Sequence, residues 1–251
     1  MGDTKKIKKK CTAILLAAGQ GKRMGAGVQK QYIELKQKPV IVYTLDEFEH
    51  SQVIDNIILV VGEGQEAYVE KEIVGKYNFQ KVSAIIPGGK ERYHSVWEGL
   101  KALEDQEASV QEEKRTAYVF IHDGARMFTD EEILKRGYET VEKTGACVAG
   151  MPSKDTVKIV DENCCAMDTP DRKKVWTIQT PQVFERKLII DAYRRYMEKE
   201  EIFVTDDAMV VEQMCGHPVK MFEGSYRNIK LTTPEDLDIA GIFLESKKNK
   251  N

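Results

Sequence analysis

The sequence predicts an α/β protein with a mostly parallel sheet covered by helices on both faces. Continuous apolar runs of strand length occur at residues 13–17, 56–61 and 117–121, as buried parallel strands require. Stretches of helical length and period separate them, and each run ends in glycines or an acid.

The first strand, 13–17, opens directly into a small-residue loop from Ala17 through Ala18, Gly19 and Gly21 to Gly25. Such a loop lets backbone amides approach a phosphate closely. Lys22, Arg23 and Lys30 add fixed positive charge beside it, which a reacting phosphate needs and a neutral dinucleotide cradle does not. Residues 40–48 read as helix, 56–61 as strand, 65–76 as helix, 82–86 as strand and 91–104 as helix. The strand at 117–121 ends at His122 and Asp123. A helix over 130–144, with Thr129 or Asp130 as N-cap, precedes a short strand at 146–150. From 152 to 180 the rhythm changes to short β-like pieces, 156–160 and 174–178, which predict a protruding hairpin-like arm. Helices resume at 185–199 and 206–214. A strand at 218–222, a short strand around Ile229 and a last helix opened by Thr233 and Pro234 complete the chain.

Composition narrows the function. With 38 basic against 41 acidic residues the formal charge is −3, so no global field favours nucleic acid or an anionic membrane. No apolar run approaches the ~20 residues that span a bilayer, and the start lacks a signal-peptide core, so a soluble cytoplasmic protein is expected. Lys6 stands where a myristoylation motif wants Ser or Thr. The cysteines Cys11, Cys147, Cys164, Cys165 and Cys215 lack metal-ligand spacing and read as reduced thiols.

The glycines alone do not decide between ligands. A Walker loop is excluded, because Gly-Lys-Ser/Thr does not occur in this segment. A dinucleotide enzyme wants an acid about 20 residues beyond its glycines, whereas the nearest one ending a second strand, Glu63, lies 42 residues past Gly21. Asp123 sits at a strand's carboxyl end, where open α/β sheets bind ligands and where a carboxylate suits a divalent cation. Pro87, Gly88 and Gly89, followed by Arg92 and Ser95, form a second close-approach loop. None of the four histidines accompanies a recognisable nucleophile elbow, and His122 reads as a structural residue at a strand end.

These motifs occur together and in order with Lys30-Gln31-Tyr32, Ala125-Arg126, Asp155-Thr156, Asp171-Arg172, Gln179-Thr180-Pro181-Gln182, Thr205-Asp206, Asn228-Ile229-Lys230 and Thr233 to Leu237. In that arrangement the chain resembles the methylerythritol 4-phosphate cytidylyltransferases of isoprenoid precursor synthesis. The resemblance implies a Rossmann-like nucleotidyltransferase domain over residues 11–245, tails at 1–10 and 246–251, and an arm, 152–180, that exchanges with a second subunit in a homodimer. It implies CTP and a sugar-alcohol phosphate as substrates and a divalent cation, normally Mg2+, and no nucleic acid or membrane partner. Carried over by position, Ala17, Ala18, Gly19, Gly88, Gly89, Ser95 and Asp123 hold the nucleotide, with Asp123 also at the metal. Arg23, Lys30, Arg172 and Lys230 are the implied catalytic residues; Arg126, Thr156, Thr180 and Thr205 surround the acceptor. Three positions depart from the common pattern: Gln29 and Met127 replace prolines and His94 replaces an aspartate, which predicts looser loops with the catalytic charges intact. The alternatives are a ribitol 5-phosphate cytidylyltransferase, a nucleotide-binding regulatory module and an NAD(P)-binding oxidoreductase.

Overall fold

The computed structural model describes residues 8–19, 29–199 and 203–248. In chain order the elements are β1 (Cys11–Ala17), β2 (Glu34–Leu35), β3 (Lys38–Pro39), α1 (Val40–His50), β4 (Asn56–Val61), α2 (Glu66–Val69), β5 (Val82–Pro87), α3 (Arg92–Gln106) and β6 (Tyr118–Asp123). They continue with α4 (Glu131–Thr144), β7 (Ala146–Pro152), β8 (Ile159–Val160), β9 (Ala166–Asp168), β10 (Trp176–Glu185), α5 (Arg186–Met197), α6 (Asp207–Cys215), β11 (Lys220–Glu223) and α7 (Pro234–Lys248).

Seven strands form the main sheet in the order β11-β7-β10-β6-β1-β4-β5. All neighbours pair in parallel except β10, which runs antiparallel to both β7 and β6. Side-chain alternation along β1 divides the core into two layers. Cys11, Ala13, Leu15 and Ala17 face a cluster with Ile41, Leu45 and Phe48 of α1 and Ile133 and Leu134 of α4. Ile14 and Leu16 face the other cluster, with Val96 and Leu100 of α3, Ile189 and Tyr193 of α5, and Val210 of α6. In β4 every residue from Ile57 to Val61 is fully buried. Each such side chain contributes about 1.5–3 kcal/mol of burial free energy, which fixes the register on which the site depends.

Local signals set the helix boundaries. Asp130 caps α4 by accepting from the Ile133 amide, and the helix stops at Gly145, whose φ of +75° suits glycine. Asp206 caps α6 in the same way through the Met209 amide. At α7 the carboxylate of Asp236 reaches back to the amides of Thr232 and Thr233, one half of a capping box around Pro234.

Four expectations change. Of the strand expected over 156–160 only Ile159–Val160 forms one. The helix expected over 65–76 is present, but its second half, Glu70–Gly75, is wound as a wider π turn. The strand expected at 174–178 begins at Trp176 and runs on to Glu185 through the cis Thr180–Pro181 peptide into the centre of the sheet. No strand forms around Ile229; the Leu231 amide instead donates to the Ala125 carbonyl, tying this segment to the turn that follows β6.

Candidate active site

Strand order creates the site. The chain leaves β1 for β4 on one side and later returns to β6 on the other, so the carboxyl ends of β1 and β6 flank the point where the order reverses, the usual ligand position in open α/β sheets. Register aligns these ends: Leu16 pairs with Asp123, Ala17 with Val61, and Val61 with Pro87. A cleft of about 800 Å³ opens there, lined by Ala18 and Gly19 after β1, Lys30, Glu63 after β4, Gly88, Gly89 and Arg92 after β5, Asp123, and Lys230.

Backbone proximity explains the second glycine loop. A Cβ at Gly88 would stand 2.5 Å from Ala18 Cβ and 2.7 Å from Ser95 Oγ. Ser95 is buried, and its hydroxyl accepts from the Gly89 amide at 3.1 Å, so it holds the loop's shape. Glu91 and His94 form a reciprocal capping box at the start of α3, in which the Glu91 amide donates to His94 Nδ1 at 3.2 Å. The imidazole thus orders this loop, contrary to the looser one expected from a histidine there.

Asp123 is the electrostatic centre. Its Oδ1 lies 3.3 Å from Arg92 Nε, and its Oδ2 lies 2.8 Å from Lys230 Nζ and 3.6 Å from Arg126 Nε. Burial alone would raise its pKa, but Arg92, Lys230 and Arg126 overcome that and hold the carboxyl far below the usual range. Arg92 in turn makes a two-pronged contact with the fully buried Asp207, at 2.8 Å on each oxygen. Burial disfavours the guanidinium charge, and Asp207 and Asp123 outweigh it, keeping Arg92 protonated.

His122 lies directly behind. Its Nδ1 contacts Thr180 Oγ1 at 3.0 Å and its Nε2 contacts the Arg126 carbonyl at 3.0 Å. Burial pushes the imidazole down to about 4, so it is neutral and structural. Thr180 Oγ1 also accepts from the Asp123 amide at 3.1 Å, and Asn228 Nδ2 donates to the Thr180 carbonyl at 2.8 Å.

Among residues expected at the site, Ala18, Gly19, Lys30, Gly88, Gly89, Ser95, Asp123 and Lys230 line the cleft. Ala17 turns its side chain into the core, Thr180 is buried behind Asp123, and Arg126 reaches the Asn228 carbonyl at 2.7 Å from outside the lining. Thr156, Arg172 and Thr205 are exposed and do not line it; Arg172 donates to the Lys154 carbonyl on the arm. Arg23 lies outside the described residues. The remaining two departures are also ordered. Gln29 holds φ at −65° and accepts from Gln31 Nε2 at 2.6 Å, while Met127 packs with Val40 and Leu231. Asp207 and Tyr193, whose hydroxyl donates to Asp207, were not anticipated.

A cleft at the switch point, with Ala18 and Gly19 after β1, the Gly88–Gly89 loop after β5, an acid at the end of β6 and converging cations, is the site of an α/β nucleotidyltransferase. Residues 11–246 match the family model of 2-C-methyl-D-erythritol 4-phosphate cytidylyltransferase. The chain belongs to this family. It is 48% identical to the enzyme of that name from Lachnospira eligens over 93% of this chain and 99% of the relative, and 44% identical to that from Alkaliphilus oremlandii over 95% and 97%. The crystal structure of 4-diphosphocytidyl-2C-methyl-D-erythritol synthase from Anaerococcus prevotii superposes with a TM-score of 0.80 at 35% identity, covering 95% of this chain and all of that one. The protein is therefore a cytidylyltransferase of isoprenoid biosynthesis, and these likenesses do not favour the ribitol or NAD(P) alternatives. No helix of the described residues is long and apolar enough to cross a membrane.

Proposed function

We propose that this cleft transfers CMP from CTP to the phosphate of 2-C-methyl-D-erythritol 4-phosphate. A phosphate oxygen of the acceptor attacks the α-phosphorus, the bond from that phosphorus to the bridging oxygen breaks, and pyrophosphate leaves. The product is 4-diphosphocytidyl-2-C-methyl-D-erythritol. The nucleophile arrives ionised, so no general base is required, in keeping with a His122 sealed behind the sheet edge.

The observation that carries this function is the convergence of Lys30, Arg92 and Lys230 on the lining that also holds Ala18 and Gly19 after β1 and the Gly88–Gly89 loop after β5. Two anions must meet there, and each well-placed cation lowers the barrier by about 3–4 kcal/mol. Ala18, Gly19, Gly88 and Gly89 bring backbone against the nucleotide, with Ser95 holding the second loop. Lys30 and Lys230, with Arg23, neutralise charge on the reacting phosphates.

Asp123 fits a divalent cation as a single protein carboxylate beside bound phosphates, since Mg2+ ordinarily takes one or two carboxylates and keeps several waters. Among the described residues no group of three acidic, histidine or cysteine side chains gathers to hold an ion by itself, so Asp123 would hold the metal together with the phosphates of CTP. When bound, it supplies neutralisation of phosphate charge.

The domain spans residues 11–245, and its arm, 152–180, completes the site of a second copy in a cytoplasmic homodimer. Supporting this, the arm exposes Ile159 (51%), Val160 (49%) and Met167 (71%), and its Arg172 and Thr156 are absent from their own cleft lining. Arg172 and Thr156 then meet the acceptor phosphate from the partner, with Arg126, Thr180 and Thr205 shaping its surroundings.

The deciding experiment is pyrophosphate release with CTP and Mg2+, comparing 2-C-methyl-D-erythritol 4-phosphate with ribitol 5-phosphate. Preference for the methylerythritol substrate is expected, and preference for ribitol would overturn the acceptor assignment.

A further inference from the structure

Arg92 divides its guanidinium between two carboxylates. The terminal NH1 and NH2 grip Asp207 at 2.8 Å each, while Nε lies 3.3 Å from Asp123 Oδ1. Asp207 is the first residue of α6 and wholly buried, and Tyr193 of α5, equally buried, donates its hydroxyl to the same carboxylate. The two oxygens of Asp123 are therefore held differently. Oδ1 faces a cation anchored in the core, whereas the hydrogen-bond partner of Oδ2 is Lys230, which lines the cleft, with Arg126 Nε beyond hydrogen-bond distance at 3.6 Å.

This asymmetry has a chemical use. When phosphates enter the cleft, the Lys230 ammonium on its flexible stem turns toward them, and Oδ2 loses its closest cation. A carboxylate held only by mobile cations would then swing. Held at Oδ1 by an arginine that two further side chains immobilise, it keeps one orientation and presents Oδ2 to the incoming nucleotide. Arg92 opens α3 immediately after the Gly88–Gly89 loop, and Asp207 follows Thr205 and Asp206, so the same contact also ties the nucleotide loop to the loop before α6.

We propose that Arg92 is a positioning residue of the transfer reaction, anchored by Asp207 and Tyr193 so that Asp123 keeps a fixed orientation while Lys230 engages phosphate. The proposal rests on the assignment of Asp123 to the nucleotide site.

Arg92→Lys keeps the charge but cannot grip Asp207 with two prongs and reach Asp123 as well. Tyr193→Phe loosens Asp207 while leaving all three charges in place. Measured by pyrophosphate release well below each variant's unfolding midpoint, Arg92→Lys is expected to lower kcat about 10- to 100-fold and Tyr193→Phe about 3- to 10-fold, with both KM values within about 3-fold of wild type. Asp123→Asn serves as the control and is expected to lose more than either. Wild-type kcat in folded Arg92→Lys and Tyr193→Phe, or losses that vanish once the assay temperature is lowered, would overturn the positioning role provided Asp123→Asn is impaired. Wild-type turnover in Asp123→Asn would overturn the assignment on which it rests.

Discussion

Lys230 Nζ lies 2.8 Å from Asp123 Oδ2, so a lysine from the segment before α7 meets the carboxylate that ends β6. The backbone holds this meeting in place, because the Leu231 amide donates to the Ala125 carbonyl at 3.0 Å. Removing the ammonium leaves Asp123 with Arg92 and Arg126, so the strand end stays charge-compensated while the cleft loses a cation. Lys230→Ala is expected to lower kcat about 10²- to 10³-fold with its circular dichroism spectrum unchanged. Steady-state pyrophosphate release tests this, and a loss below 3-fold would remove Lys230 from the chemistry.

His122 makes the fold acid-sensitive in a defined window. Its imidazole titrates near 6.5 in the unfolded chain and is pushed down to about 4 in the native state by burial. Between those values the unfolded chain binds the extra proton, so this stability is fully present above about pH 6.5 and is lost as pH falls toward 4. The shift corresponds to roughly 3 kcal/mol over the window. Urea midpoints measured from pH 7 to pH 4.5 should fall in wild type and fall less steeply in His122→Gln. Equal slopes would show that another group governs the acid limb.

The elements most legible in the sequence are those whose burial is complete. The strand Asn56–Val61 is legible to the residue, because its five residues from Ile57 to Val61 are covered on both faces of the sheet and are all apolar. Trp176–Glu185 was only half legible: Gln179, Pro181 and Gln182 disguise a central strand whose polar side chains are spent on interior partners. Gln179 donates to the Ser225 carbonyl, and Gln182 bridges Asp206 and the Ala208 amide. The glycines and Asp123 were readable because they end strands, where a ligand must approach. The Arg92–Asp207 pair, 115 positions apart, has no local signal and appears only when α3 and α6 pack on the same face.

Gly88 is where the absence of a side chain decides the cleft. A methyl there would meet Ala18 Cβ at 2.5 Å and Val60 Cγ1 at 3.2 Å, groups fixed by β1 and β4. Relief requires the second glycine loop to move into the cleft. Gly88→Ala is expected to cost about 1–3 kcal/mol of stability and to raise the KM for CTP at least 10-fold. Thermal unfolding with kinetics at varied CTP checks both, and an unchanged KM would place the nucleotide away from this loop.

Gln29 already holds the backbone a proline would impose, with φ at −65° and ψ at 132°. Its side chain accepts from Gln31 Nε2, and the same nitrogen donates to the Ala17 carbonyl, so the amide pair ties the start of the Lys30–Tyr32 turn to the end of β1. Gln29→Pro trades that acceptor for a stiffer unfolded chain. A proline at a compatible φ contributes about 0.4–1 kcal/mol, and the lost hydrogen bond costs about 0.5–1.5 kcal/mol. The two nearly cancel, so the unfolding free energy should change by less than about 1 kcal/mol. Lys30 follows directly and keeps its backbone position, so the kcat of Gln29→Pro should remain within about 3-fold of wild type. A larger fall in kcat at unchanged stability would mean that the glutamine amide itself sets the Lys30 ammonium in the cleft, and Gln31→Leu, which also breaks the tie, should then show the same loss.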